Sequence, residues 1–146
     1  MSIKLEGKAR AMREEGSEGF CKMYSRQLKD YTDKVRTKEL KPADFCTFNA
    51  LIAHLDYRSR RCNIRPARLA EYLGWTLANT NNSLKRLRTA GMICKAVKPD
   101  GGIYFMTDPY VAQTGRWSNR ERRFAIWEKT RQSDTACPSL EEAIPA

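Results

Sequence analysis

Leu69-Ala70-Glu71-Tyr72-Leu73-Gly74-Trp75-Thr76, running without a break into Leu77-Ala78-Asn79-Thr80-Asn81-Asn82-Ser83-Leu84-Lys85-Arg86-Leu87-Arg88-Thr89-Ala90-Gly91-Met92-Ile93, is the stretch on which the fold turns. Pro66 opens a helix just upstream, because its missing N–H costs nothing in the first helical turn. Leu69, Ala70 and Leu73 face inward, and Gly74 stands where a left-handed residue ends a helix. Trp75-Thr76 is the turn, and Thr76 can cap a second helix from Leu77 to about Ala90, ended by Gly91. Thr80, Leu84 and Leu87 are spaced four and three apart, so all three can face a core. The opposite face carries Ala78, Asn79, Asn82, Lys85, Arg86 and Thr89. The pattern predicts two helices joined by a tight turn.

Working outward, Pro42 to about Tyr57 predicts an earlier helix, with Phe45, Phe48, Leu51, Ile52 and Leu55 as its buried stripe. His54 lies beside that stripe. Arg58-Ser59-Arg60-Arg61 is a basic connector, and Cys62-Asn63-Ile64 a very short strand. Downstream, Met92–Lys98 and Ile103–Thr107 are β-prone runs around Pro99-Asp100-Gly101-Gly102, which predicts a hairpin. The expected fold is therefore mainly α with a small β-hairpin wing, a winged helix-turn-helix. In that arrangement the start of the second helix enters the major groove of duplex DNA. Asn pairs bidentately with adenine and Arg with guanine. Asn79, Asn82 and Arg86 lie on one strip at i, i+3 and i+7, and with Thr76 and Ala78 they form the expected base-reading set. Asn81 is turned toward the side of the helix. Arg60, Arg61, Arg65, Arg68, Lys85, Lys95 and Lys98 are expected to meet phosphates, which position a protein without reading sequence. One of Tyr104 and Phe105 is expected to pack on the recognition helix.

Residues 1–19 read as a mobile arm or a frayed helix, 20–131 as the domain, and 132–146 as a loose acidic tail. Phe20-Cys21-Lys22-Met23-Tyr24 can form a short strand, and residues 26–41 are charge-rich and ambiguous. Asp108-Pro109 pairs an N-cap with a first-turn proline and predicts a short helical turn to Gly115. Ser118-Asn119-Arg120-Glu121 fits a capping box that opens a final helix to about Arg131. Trp117, Phe124 and Trp127 form an apolar patch on that helix, for a second copy of the chain or for packing on the first helix of the same copy. A homodimer is expected on the ground that such regulators often meet paired half-sites.

Charge supports the same stretch. The 146 residues carry 27 Lys+Arg against 17 Asp+Glu, a formal net of +10. Residues 58–131 hold 16 basic and 5 acidic side chains, a net of +11, whereas 1–57 net +2 and 132–146 net −3. Such a localised excess is the electrostatic footprint of a nucleic-acid binder; a solvated surface is the alternative. The longest apolar runs, Ala50–Ala53 and Phe124–Trp127, fall far short of a membrane span of about 20 residues. MSIKLEGKAR lacks the apolar core of a signal peptide. The 5 cysteines show no CxxC pair, which argues against structural zinc, and their odd number argues for reduced thiols in a cytosol. One histidine cannot supply a metal cluster for a DNA-nicking tyrosine enzyme, and no phosphate-cradling G-x-x-x-x-G-K-[ST] occurs. No cofactor is expected. A redox-sensing regulator using Cys46, Cys62 or Cys94 and a non-catalytic protein-interaction module are the remaining alternatives.

Residues 69–93 resemble the core of the bacterial winged-helix superfamily that includes MarR-type regulators. Tyr104-Phe105-Met106-Thr107-Asp108-Pro109-Tyr110-Val111-Ala112-Gln113-Thr114-Gly115-Arg116-Trp117 resembles the strand-turn motif that closes the winged domain of RepL-type plasmid replication proteins, and residues 20–24 resemble the segment that opens it. Where that family has Asn before the proline, this chain has Asp108, which keeps the capping chemistry. The resemblance implies a plasmid- or phage-encoded protein that binds a specific duplex site and helps start replication, with host replication proteins as further partners. A transcriptional repressor would use the same recognition helix.

Overall fold

The computed structural model describes residues 21–23, 25–56, 61–109, 112–114 and 120–137. Among these the order is β1 (Cys21–Met23), α1 (Ser25–Arg36), α2 (Pro42–Ala53), α3 (Pro66–Leu73), α4 (Leu77–Thr89), β2 (Ile93–Val97), β3 (Ile103–Thr107), β4 (Ala112–Thr114) and α5 (Arg120–Ser133). The chain is mainly helical. β2 and β3 form one antiparallel hairpin, and β1 pairs with β4 in a second two-stranded sheet.

α3 and α4 form where the turn chemistry places them. Gly74 closes α3 at φ +70°, a left-handed conformation that strains any residue with a Cβ. Thr76 Oγ1 accepts from Asn79 N at 3.2 Å and caps α4. The inward residues Leu69, Thr80, Leu84 and Leu87 are buried, and Ser83 is buried with them. Leu69, Leu84 and Leu87 meet Phe48 and Leu51 of α2, Met92, and Phe105 of β3 in one core.

α2 is shorter than its periodicity predicts. Leu55 leaves the helix to bridge Cys62, and Cys62 in turn bridges Phe105. Cys62 N donates to Phe105 O at 2.8 Å, and Phe105 N donates to Cys62 O at 2.9 Å. The expected short strand at 62–64 is reduced to this pairing, which ties the helices to the hairpin. Tyr57 and the connector 58–60 lie outside the described residues.

The ambiguous segment 26–41 supplies α1. Its Leu28, Tyr31 and Val35 recur three and four residues apart and pack on the core. Tyr31 Oη donates to Asp108 Oδ2 at 2.8 Å, with Gly91 O a second acceptor at 3.1 Å. Asp108 thus ties α1 to the end of β3, and the expected helical turn to Gly115 gives way to a strand at Ala112–Thr114. The stretch that follows forms β4, in register with β1 as Cys21↔Thr114, Lys22↔Gln113 and Met23↔Ala112. The partner strand lies some ninety positions earlier in the chain, so local capping signals pointed to the wrong element.

The hairpin is covered on both faces, so Tyr104, Phe105, Met106 and Thr107 are buried in succession. Phe105 faces the helical core, whereas Tyr104 and Met106 pack with Cys94 on Trp127 of α5. Trp127 is 1% exposed, and it packs within the chain on the outer face of the hairpin. The expected loose tail does not begin at 132. α5 continues to Ser133, and Asp134 is buried behind it. The arm 1–19, Trp117, the start of the capping box at Ser118-Asn119, and residues 138–146 lie outside the described residues.

Candidate nucleic-acid interface

α4 presents the surface on which the sequence places base reading. Thr76, Leu77, Ala78, Asn79, Asn81, Asn82, Lys85 and Thr89 are exposed. At about 100° per residue, Ala78, Asn82, Lys85 and Thr89 form its outermost line, flanked by Asn81 on one side and Asn79 on the other. Leu77 is 48% exposed in the first turn. It stands outside the expected base-reading set.

Arg86 departs from the expectation. Its Nε lies 2.9 Å from Asp44 Oδ2 and its Nη2 lies 2.9 Å from Asp44 Oδ1. Two parallel N–H···O bonds of this kind fix the planar guanidinium. Asp44 also accepts from Lys41 N at 2.8 Å and from Ser83 Oγ at 2.7 Å. Ser83 spends its single hydroxyl proton there, so at the 2.7 Å Thr47 Oγ1···Ser83 Oγ contact the proton comes from Thr47. The Asp44 side chain is 0% exposed and that of Arg86 30%. Burial alone would raise the Asp44 carboxyl, but the bonds from Arg86, Lys41 N and Ser83 outweigh it and hold the group below the usual carboxylate range. Two of the Arg86 nitrogens are thereby committed to Asp44, and the side chain, expected to face outward, braces α4 against α2.

A second pair fixes the other end of α4. Asp134 accepts from Arg88 Nε at 3.0 Å, from Arg88 Nη2 at 2.6 Å, from Lys95 N at 2.7 Å and from Ala136 N at 3.0 Å. These bonds override the upward push of burial, so Asp134 too is held low. One carboxylate thus joins α4, the hairpin and the end of α5. Nothing in the local sequence marks Asp134, which stands in a run of polar residues.

The expected phosphate contacts fare differently. Lys85 on α4 is exposed, as are Arg65 and Arg68 at the start of α3. Those two arginines line an open cleft of about 880 Å³ whose walls also carry Asp56 and Glu71. The Arg61 guanidinium lies 4.4 Å over the Tyr104 ring, a cation–π contact that seats it on the hairpin. Lys95 and Lys98 are half-buried on the hairpin. Its tip is closed by Gly101 at φ +89° and by Gly102 N donating to Asp100 Oδ1 at 2.8 Å. Val97 beside the tip is 67% exposed. Arg60 lies outside the described residues.

Burial pushes the Cys62 thiol up to about 11 and raises that of Cys94 further. A redox-sensing thiol needs thiolate character, and these two lack it at neutral pH. His54 Nδ1 sits 2.8 Å from Ala50 O, and its ring meets Tyr72 edge-on at 4.8 Å. Among the described residues no group of three His, Cys, Asp or Glu side chains could hold a metal ion, and no helix is long and apolar enough to cross a membrane. Comparison of the chain with protein-family models, with curated proteins and with solved structures gives no match.

Proposed function

We propose that the chain is a winged helix-turn-helix protein that binds a specific duplex DNA site. On this reading α4 lies in the major groove and the β2–β3 hairpin is the wing against the sugar-phosphate backbone. The observation that carries the reading is the exposed ridge of α4, in which Ala78, Asn79, Asn81, Asn82 and Lys85 project from a helix capped by Thr76 and braced at Arg86 and Arg88. A recognition helix must be held rigidly while its outer face stays bare, and α4 meets both conditions. The net charge of +11 over residues 58–131 supplies the long-range attraction.

Within that class we propose replication initiation on a plasmid or phage element. The two segments that resemble the opening and the closing of RepL-type domains contain β1 and β4, which are direct antiparallel partners. This supports treating them as parts of one unit.

Selection of binding duplexes from a random pool, followed by footprinting, tests DNA binding. Asn82→Ala should weaken the selected site by about 1–3 kcal/mol, and Lys98→Ala should weaken all duplexes alike while making the salt dependence shallower. Absence of any duplex protection would overturn the reading. A footprint within an origin that supports plasmid copying favours initiation, and one over a promoter favours repression.

A further inference from the structure

The residues that α4 leaves exposed also limit which bases it can read. This step rests on the DNA-binding reading above. The first two turns of α4, residues 77–83, contain no charged side chain. What they expose is amide, at Asn79, Asn81 and Asn82, and hydrocarbon, at Leu77 and Ala78. Guanine is read chiefly by Arg or Lys donating to its O6 and N7 acceptors. The two arginines of α4 each commit Nε and Nη2 to a buried carboxylate, Arg86 to Asp44 and Arg88 to Asp134. Each keeps Nη1 free, but both stand at or beyond the third turn of α4, and swinging either side chain toward the bases that face the first two turns would leave an almost waterless carboxylate unpaired, which is costly. Lys85 is exposed, but it stands in the third turn, past the part of a recognition helix that meets base edges.

Amide and hydrocarbon suit the other base pair. An Asn side chain donates to adenine N7 while accepting from adenine N6, and a small apolar side chain packs on the thymine methyl. We infer that the base pairs contacted by the first two turns of α4 are A·T pairs, with adenine read by Asn79 or Asn82 and the thymine methyl packed by Leu77 and Ala78. Lys85 meets phosphate. The bracing pairs thus act on specificity as well as stability, because they hold both guanidiniums back from the bases that face the first two turns.

The test uses the unaltered 146-residue chain and chemically altered DNA, so folding of variants does not enter. Duplexes are first selected from a random pool. The selected consensus should hold A·T pairs at the footprinted major-groove positions. Replacing adenine there by 7-deazaadenine removes the N7 acceptor, and affinity should fall by about 5- to 150-fold, the worth of one bidentate pair. Replacing thymine by deoxyuridine removes one methyl, and affinity should fall about fourfold. A consensus of G·C pairs at those positions, or indifference to both base analogues, would overturn the inference while leaving DNA binding intact. Failure to select any duplex would instead overturn the DNA-binding reading on which it rests.

Discussion

The Arg86 guanidinium satisfies a carboxylate that has no access to water. Removing Arg86 would leave Asp44 buried with a charge and too few donors. Arg86→Ala is therefore expected to destabilise the fold by roughly 3 kcal/mol, toward the low end for a broken buried pair because Arg86 is itself partly exposed. Urea denaturation measures this, and an unchanged midpoint would show that the pair does no structural work. The same carboxylates set the response to acid. Asp44 and Asp134 are held below their ordinary range in the fold, so the unfolded chain binds their protons first. Their stabilisation is complete above the ordinary carboxylate value of about 4 and is lost as pH falls through the lower folded values. Denaturation midpoints followed from pH 6 to pH 2 should drop below about pH 4, and Asp134→Asn should be less stable at neutral pH with a flatter acid limb.

Helices and strands here are recognised with unequal ease. α3, α4 and the β2–β3 hairpin are bounded by Pro66, Gly74, Thr76 and Gly101, whose backbone chemistry acts within a few residues, and they were legible almost to the residue. α1 carries a true helical period at Leu28, Tyr31 and Val35, but it sits among Lys, Arg and Asp that blur it. Its attachment depends on Tyr31, whose hydroxyl reaches Asp108 across the fold. Tyr31→Phe deletes a hydrogen bond to a charged group and should cost about 2 kcal/mol. Loss of protection for α1 amides in hydrogen exchange would locate the effect there, and protection lost evenly along the chain would argue against it. β1 and β4 were the hardest to read together, since each is 3 residues long and β4 gains strand geometry through a partner far away in sequence.

Across the whole molecule, α5 closes the hairpin on the side away from the helical core. Trp127 is the largest side chain in that contact and is 1% exposed. Trp127→Ala is expected to cost about 3–5 kcal/mol. That loss should not depend on protein concentration, because the cavity opens within one chain. A denaturation midpoint that rises with concentration in the parent protein and not in the variant would place Trp127 at an interface between copies. The excess of positive charge over residues 58–131 is also a whole-molecule property, and the fold spends part of it internally. Arg61 lies on Tyr104, Arg86 on Asp44 and Arg88 on Asp134.

By itself the sequence determined the order of helices and hairpin from Pro42 to Thr107, the core positions of α4 and the amide-rich character of its outer face. Those features follow from periodicity and turn chemistry, which act over a few residues. Tertiary structure alone decided that Arg86 and Arg88 are bracing groups, that Asp134 belongs to the packed domain, that Trp127 covers the hairpin and that β1 meets β4. Each of these depends on a partner 39 or more positions away in sequence, or on another face of the fold, and a buried carboxylate captures whichever guanidinium the folded chain brings to it.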